Sequence, residues 1–382
     1  MAGWLVGESS ARGDGVCGRR ARVAGRNAMS SSMSSSSSSS SRARAFGDVA
    51  RSTRPSRGGR TRGDRVAVAR ARGRGTVASV SAPAPAAPPL AYEIVQGALV
   101  RWSETKPSGP HPPTCVLVHG ILGSRRNLQS FAKKLAEKFP SWQFLLVDLR
   151  NHGESNAFDA ANKPTGANTV ENAARDVLSV LNHLKIYPYT LIGHSFGGKV
   201  AMSMVHQFGR VLPRPVQVWV LDTVPGDVWC DDVGDHPRDT INFCMTLERP
   251  IDSRRALVQS LTGAGFTIEG AQWMTTNLKS DGNGKFEWTF NLDGIAEMYK
   301  SYEAYDLWPM LETQPAGLSL DFVQAERSAF VWTPEDLARI RNTGASVHLL
   351  RNSAHWVHID NPTGLLDILS PSFENMERNF SR

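Results

Sequence analysis

Short, mostly apolar runs recur through the chain from residue 92 onward, and each ends on polar or glycine-rich residues. Cys115-Val116-Leu117-Val118 stops at His119-Gly120. The run 142–147 stops at Asp148, 189–192 at Gly193, and 216–221 at Asp222. Apolar residues between these runs fall at helical spacing: Leu128, Phe131, Leu135 and Phe139, then Leu178, Leu181 and Leu184. Apolar runs of this length mark strands buried on both faces. Alternating with one-sided helices, they predict an α/β fold with a mostly parallel, doubly wound sheet. Residues 92–103 read as an antiparallel hairpin turning at Gln96-Gly97. Functional groups on such a sheet gather at the carboxyl ends of the strands, where the polar breaks fall.

The strand pattern stops from about Gly226 to Pro315. That segment is rich in Trp and Met and carries helix-forming runs at 254–261 and 295–307. It reads as a helical lid inserted after the strand that ends at Asp222. Runs 317–324 and 346–350 resume the sheet, and a helix over about 362–373 closes the chain. The expected organisation is a disordered leader and linker (1–90), a first core part (91–225), the lid (226–315) and a second core part (316–382).

The sharpest motif is Gly193-His194-Ser195-Phe196-Gly197, between a predicted strand and a predicted helix. Its glycines permit a tight turn that lifts the serine hydroxyl above the sheet edge, beside a helix N-terminus. A serine at that apex suits nucleophilic acyl transfer, provided a base and an orienting acid lie in reach. On this architecture the order is Ser, then Asp or Glu, then His. Of ten histidines, only His355 and His358 fall in the loop after the last strand. His355 comes first and is the expected base. Asp222 is the favoured acid, with Glu326 and Asp293 as alternatives; Ser328 stands where an acid after the next-to-last strand is expected. The oxyanion donors are expected to be the N–H groups of Phe196 and Ile121, the latter in His119-Gly120-Ile121-Leu122-Gly123-Ser124. Asp148-Leu149-Arg150-Asn151-His152-Gly153-Glu154-Ser155 reads as a structural loop under the site. Lys199, one helical turn past the serine, reads as a packing or salt-bridge residue.

Charge changes the picture in one place. The chain has 382 residues and net charge +7. Residues 1–90 hold 16 Arg, no Lys and four acids, a net +12; the rest carries 27 basic and 32 acidic groups. The basic excess therefore belongs to the leader, and nucleic-acid binding by the folded part is not expected. An Arg-rich, acid-poor leader with a near-continuous serine run over 30–41 matches an organelle transit peptide. Stretch 77–82 offers processing sites. A chloroplast or other plastid is the expected location, a mitochondrion the alternative, and the import machinery a partner. No apolar run reaches 18 residues, so no membrane span is expected. Of four Cys, Cys17 lies in the leader; the three others, Cys115, Cys230 and Cys244, lack paired spacing and suggest a reducing compartment. No zinc-site spacing or phosphate-binding loop occurs, so neither metal nor cofactor is expected.

Taken with Ala354-His355-Trp356-Val357-His358 and Trp288-Thr289-Phe290-Asn291-Leu292-Asp293, these motifs resemble the α/β-hydrolase domain-containing protein 11 group and its bacterial esterase relatives, over about residues 92–370. The resemblance implies an α/β-hydrolase fold with a helical lid, and a serine esterase or thioesterase acting on a small acyl ester or thioester. It supports Asp222 as the acid and also keeps Asp293 in view. The acidic run 229–236 departs from the group, so the substrate range is open. A ligand receptor or scaffold on the same fold, or a lyase using the same triad, is the alternative activity.

Overall fold

The computed structural model describes residues 89–103, 111–157, 163–209, 212, 216–228, 236–314, 316–328 and 330–380. The chain divides into two units, Met1–Ser79 and Val80–Arg382. The leader, its processing stretch, Cys17, Cys230 and residues 229–235 of the acidic run lie outside the described residues.

Seven strands of the second unit form one sheet: β1 (Tyr92–Gln96), β2 (Thr114–Val118), β3 (Gln143–Val147), β4 (Thr190–His194), β5 (Val216–Leu221), β8 (Leu318–Arg327) and β9 (Ser346–Ala354), in the order β1-β3-β2-β4-β5-β8-β9. Every neighbouring pair is parallel except β1 with β3. Two apolar layers sandwich the sheet, because successive side chains on a strand point to opposite faces. Val116 and Val118 of β2 join the layer holding α2 (Val170–Leu184) and α3 (Phe196–Phe208). Cys115 and Leu117 join the layer holding α1 (Arg125–Lys138) and α11 (Pro362–Phe380). Phe373 of α11 stacks on Phe139 with centroids 4.8 Å apart. Cys115 and Cys244 are free, buried thiols, and burial raises the pKa of both.

Two expectations are corrected. Residues 92–103 are not a hairpin. Tyr92–Gln96 pairs with β3, and the Gly97 and Leu99 N–H groups donate to the Trp142 and Pro140 carbonyls (both 2.9 Å). The partner strand was remote in sequence, and the Gln96-Gly97 turn serves a bend. The segment between β5 and β8 is not helical throughout. Its helices are α4 (Pro237–Thr246), α5 (Arg254–Gly263), α6 (Ile268–Met274), α7 (Leu292–Ala304) and α8 (Trp308–Glu312). It also contains the antiparallel pair β6 (Leu278–Ser280) and β7 (Phe286–Trp288). Gly282 and Gly284, both at positive φ, form the turn between them, and Asp-Gly-Asn-Gly is a hairpin signal. Beyond the insert, α9 (Pro334–Asn342) links β8 to β9, and α10 (Val357–Asp360) follows β9.

Candidate active site

The site forms where β2, β4, β5 and β9 end. Between β4 and α3, Ser195 sits at φ 52° and ψ −118°, a conformation that costs a non-glycine residue about 1–3 kcal/mol and persists only where the surroundings enforce it. Its N–H donates to the Leu221 carbonyl and its carbonyl accepts from the Gly198 N–H (both 2.8 Å). The turn presses on its neighbours: a Cβ at Gly193 would lie 2.0 Å from the Gly197 oxygen, and one at Gly197 would lie 2.3 Å from the Val118 oxygen. Phe196 is the first residue of α3, so its N–H is among those with no intrahelical acceptor.

His355 follows the last residue of β9. Its Nδ1–H donates to Asp222 Oδ2 at 2.8 Å. Asp222 follows the last residue of β5, at φ 49°, and is fully buried. Its Oδ1 accepts from the Ala325 N–H (3.0 Å), and its Oδ2 also accepts from the Ser328 hydroxyl (3.0 Å). These bonds hold the carboxylate in one plane and fix His355 with the proton on Nδ1. Nε2 is then the acceptor. Ser195 and His355 line the same cavity. Glu326 lies elsewhere, accepting from the Asn352 N–H (2.8 Å). Asp293 is exposed in the first turn of α7. The structure brings Asp222, and neither alternative, to His355.

Three further residues complete this side. His194 Nε2–H donates to the His355 carbonyl (2.7 Å), tying the serine turn to the base loop across 161 residues of sequence. Burial and the nearby His355 and His358 depress its pKa well below the ordinary value. Phe330 meets the His355 ring edge-on at 4.8 Å. Ser328 takes the place expected of an acid and binds the acid instead.

The oxyanion loop is pinned differently. Leu122 stands at φ 59°. Its N–H donates to His152 Nε2 (3.1 Å), and the Gly123 N–H donates to the Gly120 carbonyl (3.1 Å). The Leu149 N–H donates to His119 Nε2 (3.0 Å), while His119 Nδ1–H donates to the Gly120 carbonyl (2.7 Å). His152 Nδ1–H donates to the Arg150 carbonyl (2.8 Å). The two imidazoles therefore knit the loops after β2 and β3 together as neutral rings. Burial pushes the His119 pKa down to about 4, and burial with the His119 charge pushes that of His152 down to about 3. The Leu122 and Gly123 N–H groups are thereby engaged within the frame. Below it, Asp148 accepts from the Arg125 and Glu154 N–H groups (2.7 and 2.9 Å) and pairs with the Arg125 guanidinium. Arg150 forks onto Asp176 (2.7 and 2.9 Å).

The insert is fastened to this frame. Asn277 donates to the Leu122 carbonyl (2.8 Å), and Asn291 N–H donates to the Asn151 carbonyl (2.9 Å). Lys199 is fully buried and donates to the carbonyls of Gly226, Tyr302 and Tyr305 (2.7, 2.7 and 2.8 Å). It holds backbone rather than a carboxylate, and burial brings its pKa down to about 7. A cavity runs between the insert and the strand ends. Its walls include Leu261, Phe266, Met274, Trp273 and Trp356; the two indoles lie 5.3 Å apart. Sequence reasoning missed His194, Ser328 and Asn277 because their partners are remote; only Ser328 left a signal, as an anomaly at the acid's place. Among the described residues no group of three or more His, Cys, Asp or Glu is placed to hold a metal, and no helix is long and apolar enough to cross a membrane.

The profile described as "Alpha/beta hydrolase family" matches residues 115–368. The chain is 27% identical over 293 residues to the mouse protein named sn-1-specific diacylglycerol lipase ABHD11, covering 74% of this chain and 84% of that one. It is 28% identical over 258 residues to Escherichia coli esterase YbfF, covering 66% and 89%. The solved structure of a marine microorganism esterase superposes with TM-score 0.58 at 20% identity, covering 75% of this chain and 99% of that one.

Proposed function

The chain belongs to the alpha/beta hydrolase family, and from that premise we propose that it is a serine hydrolase cleaving carboxylic esters or acyl thioesters through an acyl-enzyme. The observation that carries this reading is the 2.8 Å bond from His355 Nδ1–H to Asp222 beside a strained Ser195 in one cavity. Ser195 Oγ attacks the substrate carbonyl and its proton passes to His355 Nε2. Asp222 holds the imidazole tautomer and stabilises the imidazolium. The Phe196 and Ile121 N–H groups receive the oxyanion, each donor contributing about 3 kcal/mol in the transition state. Collapse breaks the bond to the leaving alcohol or thiol, which takes the proton from His355. Water, activated by the same imidazole, then frees the acid. The names of the mouse lipase and bacterial esterase support an ester substrate, and the apolar cavity walls support an apolar acyl group.

In the same proposal the insert serves as a lid, and the leader directs the chain to a plastid through the organelle import machinery. A fusion of residues 1–90 to a fluorescent reporter tests the latter; retention in the cytosol would overturn it. For the chemistry, intact-mass labelling of the full chain with a fluorophosphonate is expected to give one adduct on Ser195 that His355→Ala abolishes. A folded chain that takes no adduct would contradict the mechanism and favour a ligand receptor on the same fold.

A further inference from the structure

The proposed oxyanion donor, the Ile121 N–H, shares a planar trans peptide unit with the Gly120 carbonyl and points the opposite way. Whatever fixes that carbonyl therefore aims the donor. Two groups bind it: His119 Nδ1–H at 2.7 Å and the Gly123 N–H at 3.1 Å. The Gly123 N–H in turn shares its peptide unit with the Leu122 carbonyl. That carbonyl accepts from Asn277 Nδ2–H at 2.8 Å. A continuous chain thus runs from the Asn277 amide through two peptide units to the Ile121 N–H, with every donor facing the same way. Hydrogen bonds in series polarise one another, so each strengthens the next.

Asn277 belongs to the insert. It ends the turn Thr275–Asn277 between α6 and β6 and is only 3% exposed. Its own carbonyl accepts from the Thr289 N–H (2.8 Å), just beyond β7. The β6–β7 pair, with Leu278 opposite Trp288, therefore sets its place. The core grips the same loop from the other side, through His119 and through His152. Leu122, at φ 59°, is held by its N–H from the core and by its carbonyl from the insert. A non-glycine residue keeps that backbone conformation only where its neighbours enforce it. An insert that only shut out water could meet this loop with apolar side chains. A buried amide placed on one carbonyl fixes the direction of that carbonyl as well.

Resting on the ester-hydrolase reading, we propose that Asn277 is a positioning residue: through the Leu122 and Gly120 peptide units, the seated insert aims and strengthens the Ile121 oxyanion donor. Transition-state stabilisation and seating of the insert are then one event, although Asn277 touches neither substrate nor triad.

The test is turnover of p-nitrophenyl hexanoate by the full-length chain. Asn277→Leu keeps the size of the side chain and removes the donor. It is expected to lower kcat and kcat/KM by the same factor of about 10, the mark of an interaction made only in the transition state. That is less than the roughly 10²- to 10³-fold cost of losing a whole oxyanion donor. Pentylboronic acid adds to Ser195 Oγ as a tetrahedral anion, the proton passing to His355; its affinity is expected to weaken by the same factor. Asn277→Gln, which keeps a donor on a longer stem, is expected to recover part of both losses. Asn277→Ala is read in place of the leucine variant if that one fails to fold. Ser301→Ala removes a different fastening of the insert, where Ser301 Oγ accepts from the Val170 N–H (3.1 Å). It is expected to leave kcat near wild type. An unchanged kcat in folded Asn277→Leu, a rise in KM alone, or an equal fall in Ser301→Ala would overturn the proposal. A wild type with neither turnover nor a fluorophosphonate adduct would instead remove the serine-hydrolase reading beneath it.

Discussion

Histidines flank the cavity in two pairs that differ in one respect. His119 and His152, in the loops after β2 and β3, are buried and have both ring nitrogens bonded to backbone. His355 and His358, after β9, are held differently: Nδ1–H of His355 donates to the Asp222 carboxylate, and among the described residues neither ring nitrogen of His358 has a hydrogen-bond partner. Burial alone does not separate the pairs, since the pKa is pushed down to about 3 in both His152 and His358. Partnership does. A buried imidazole with two backbone partners is a rivet, and one without them gives the loops no such hold. The rivets tie the loop after β2 to the loop after β3, and a fixed loop there is what the proposed oxyanion site requires.

Acid is the strongest way to break the rivets. Their pKa values in the fold, about 4 and about 3, lie below the ordinary 6.5. Below pH 6.5 the unfolded chain binds protons that the fold excludes, so stability is full above 6.5 and declines as pH falls toward 3. By pH 4 each ring has cost on the order of 3 kcal/mol. Urea midpoints from pH 8 to pH 4 are expected to drop steadily below 6.5; a flat profile would show that these rings are not held neutral.

A smaller effect sharpens the contrast between the pairs. His152→Leu leaves the buried Leu122 N–H without its acceptor and is expected to cost about 2 kcal/mol. His358→Leu removes two unmet polar atoms and is expected to cost less than that or to stabilise. Urea unfolding of both variants at pH 8 measures this, and equal losses would dissolve the distinction between the bonded and the unpartnered rings.

Much of the fold was legible because the sheet's central strands are short, apolar on both faces and stopped by polar residues. Val216–Leu221 has the bounds its pattern implies. The 92–103 segment was misread because a hairpin and an edge strand carry the same alternation, and β1's partner lies beyond α1. At the site, Ser195, His355 and Asp222 were nameable because each ends a strand or follows one. His194 and Asn277 were not, since each acts on a backbone carbonyl more than 150 residues away. Carbonyls carry no side-chain signature, so their partners are found only in three dimensions.

The central claim is that Asp222, at the end of β5, orients His355 toward Ser195. Its most direct test is ester turnover by Asp222→Asn, Glu326→Gln and Asp293→Asn side by side. The account predicts that kcat falls by about 10⁴-fold in Asp222→Asn, where the amide favours the wrong imidazole tautomer, and stays near wild type in the other two. An Asp222→Asn enzyme within tenfold of wild type, or an equal fall in either other variant, would contradict it.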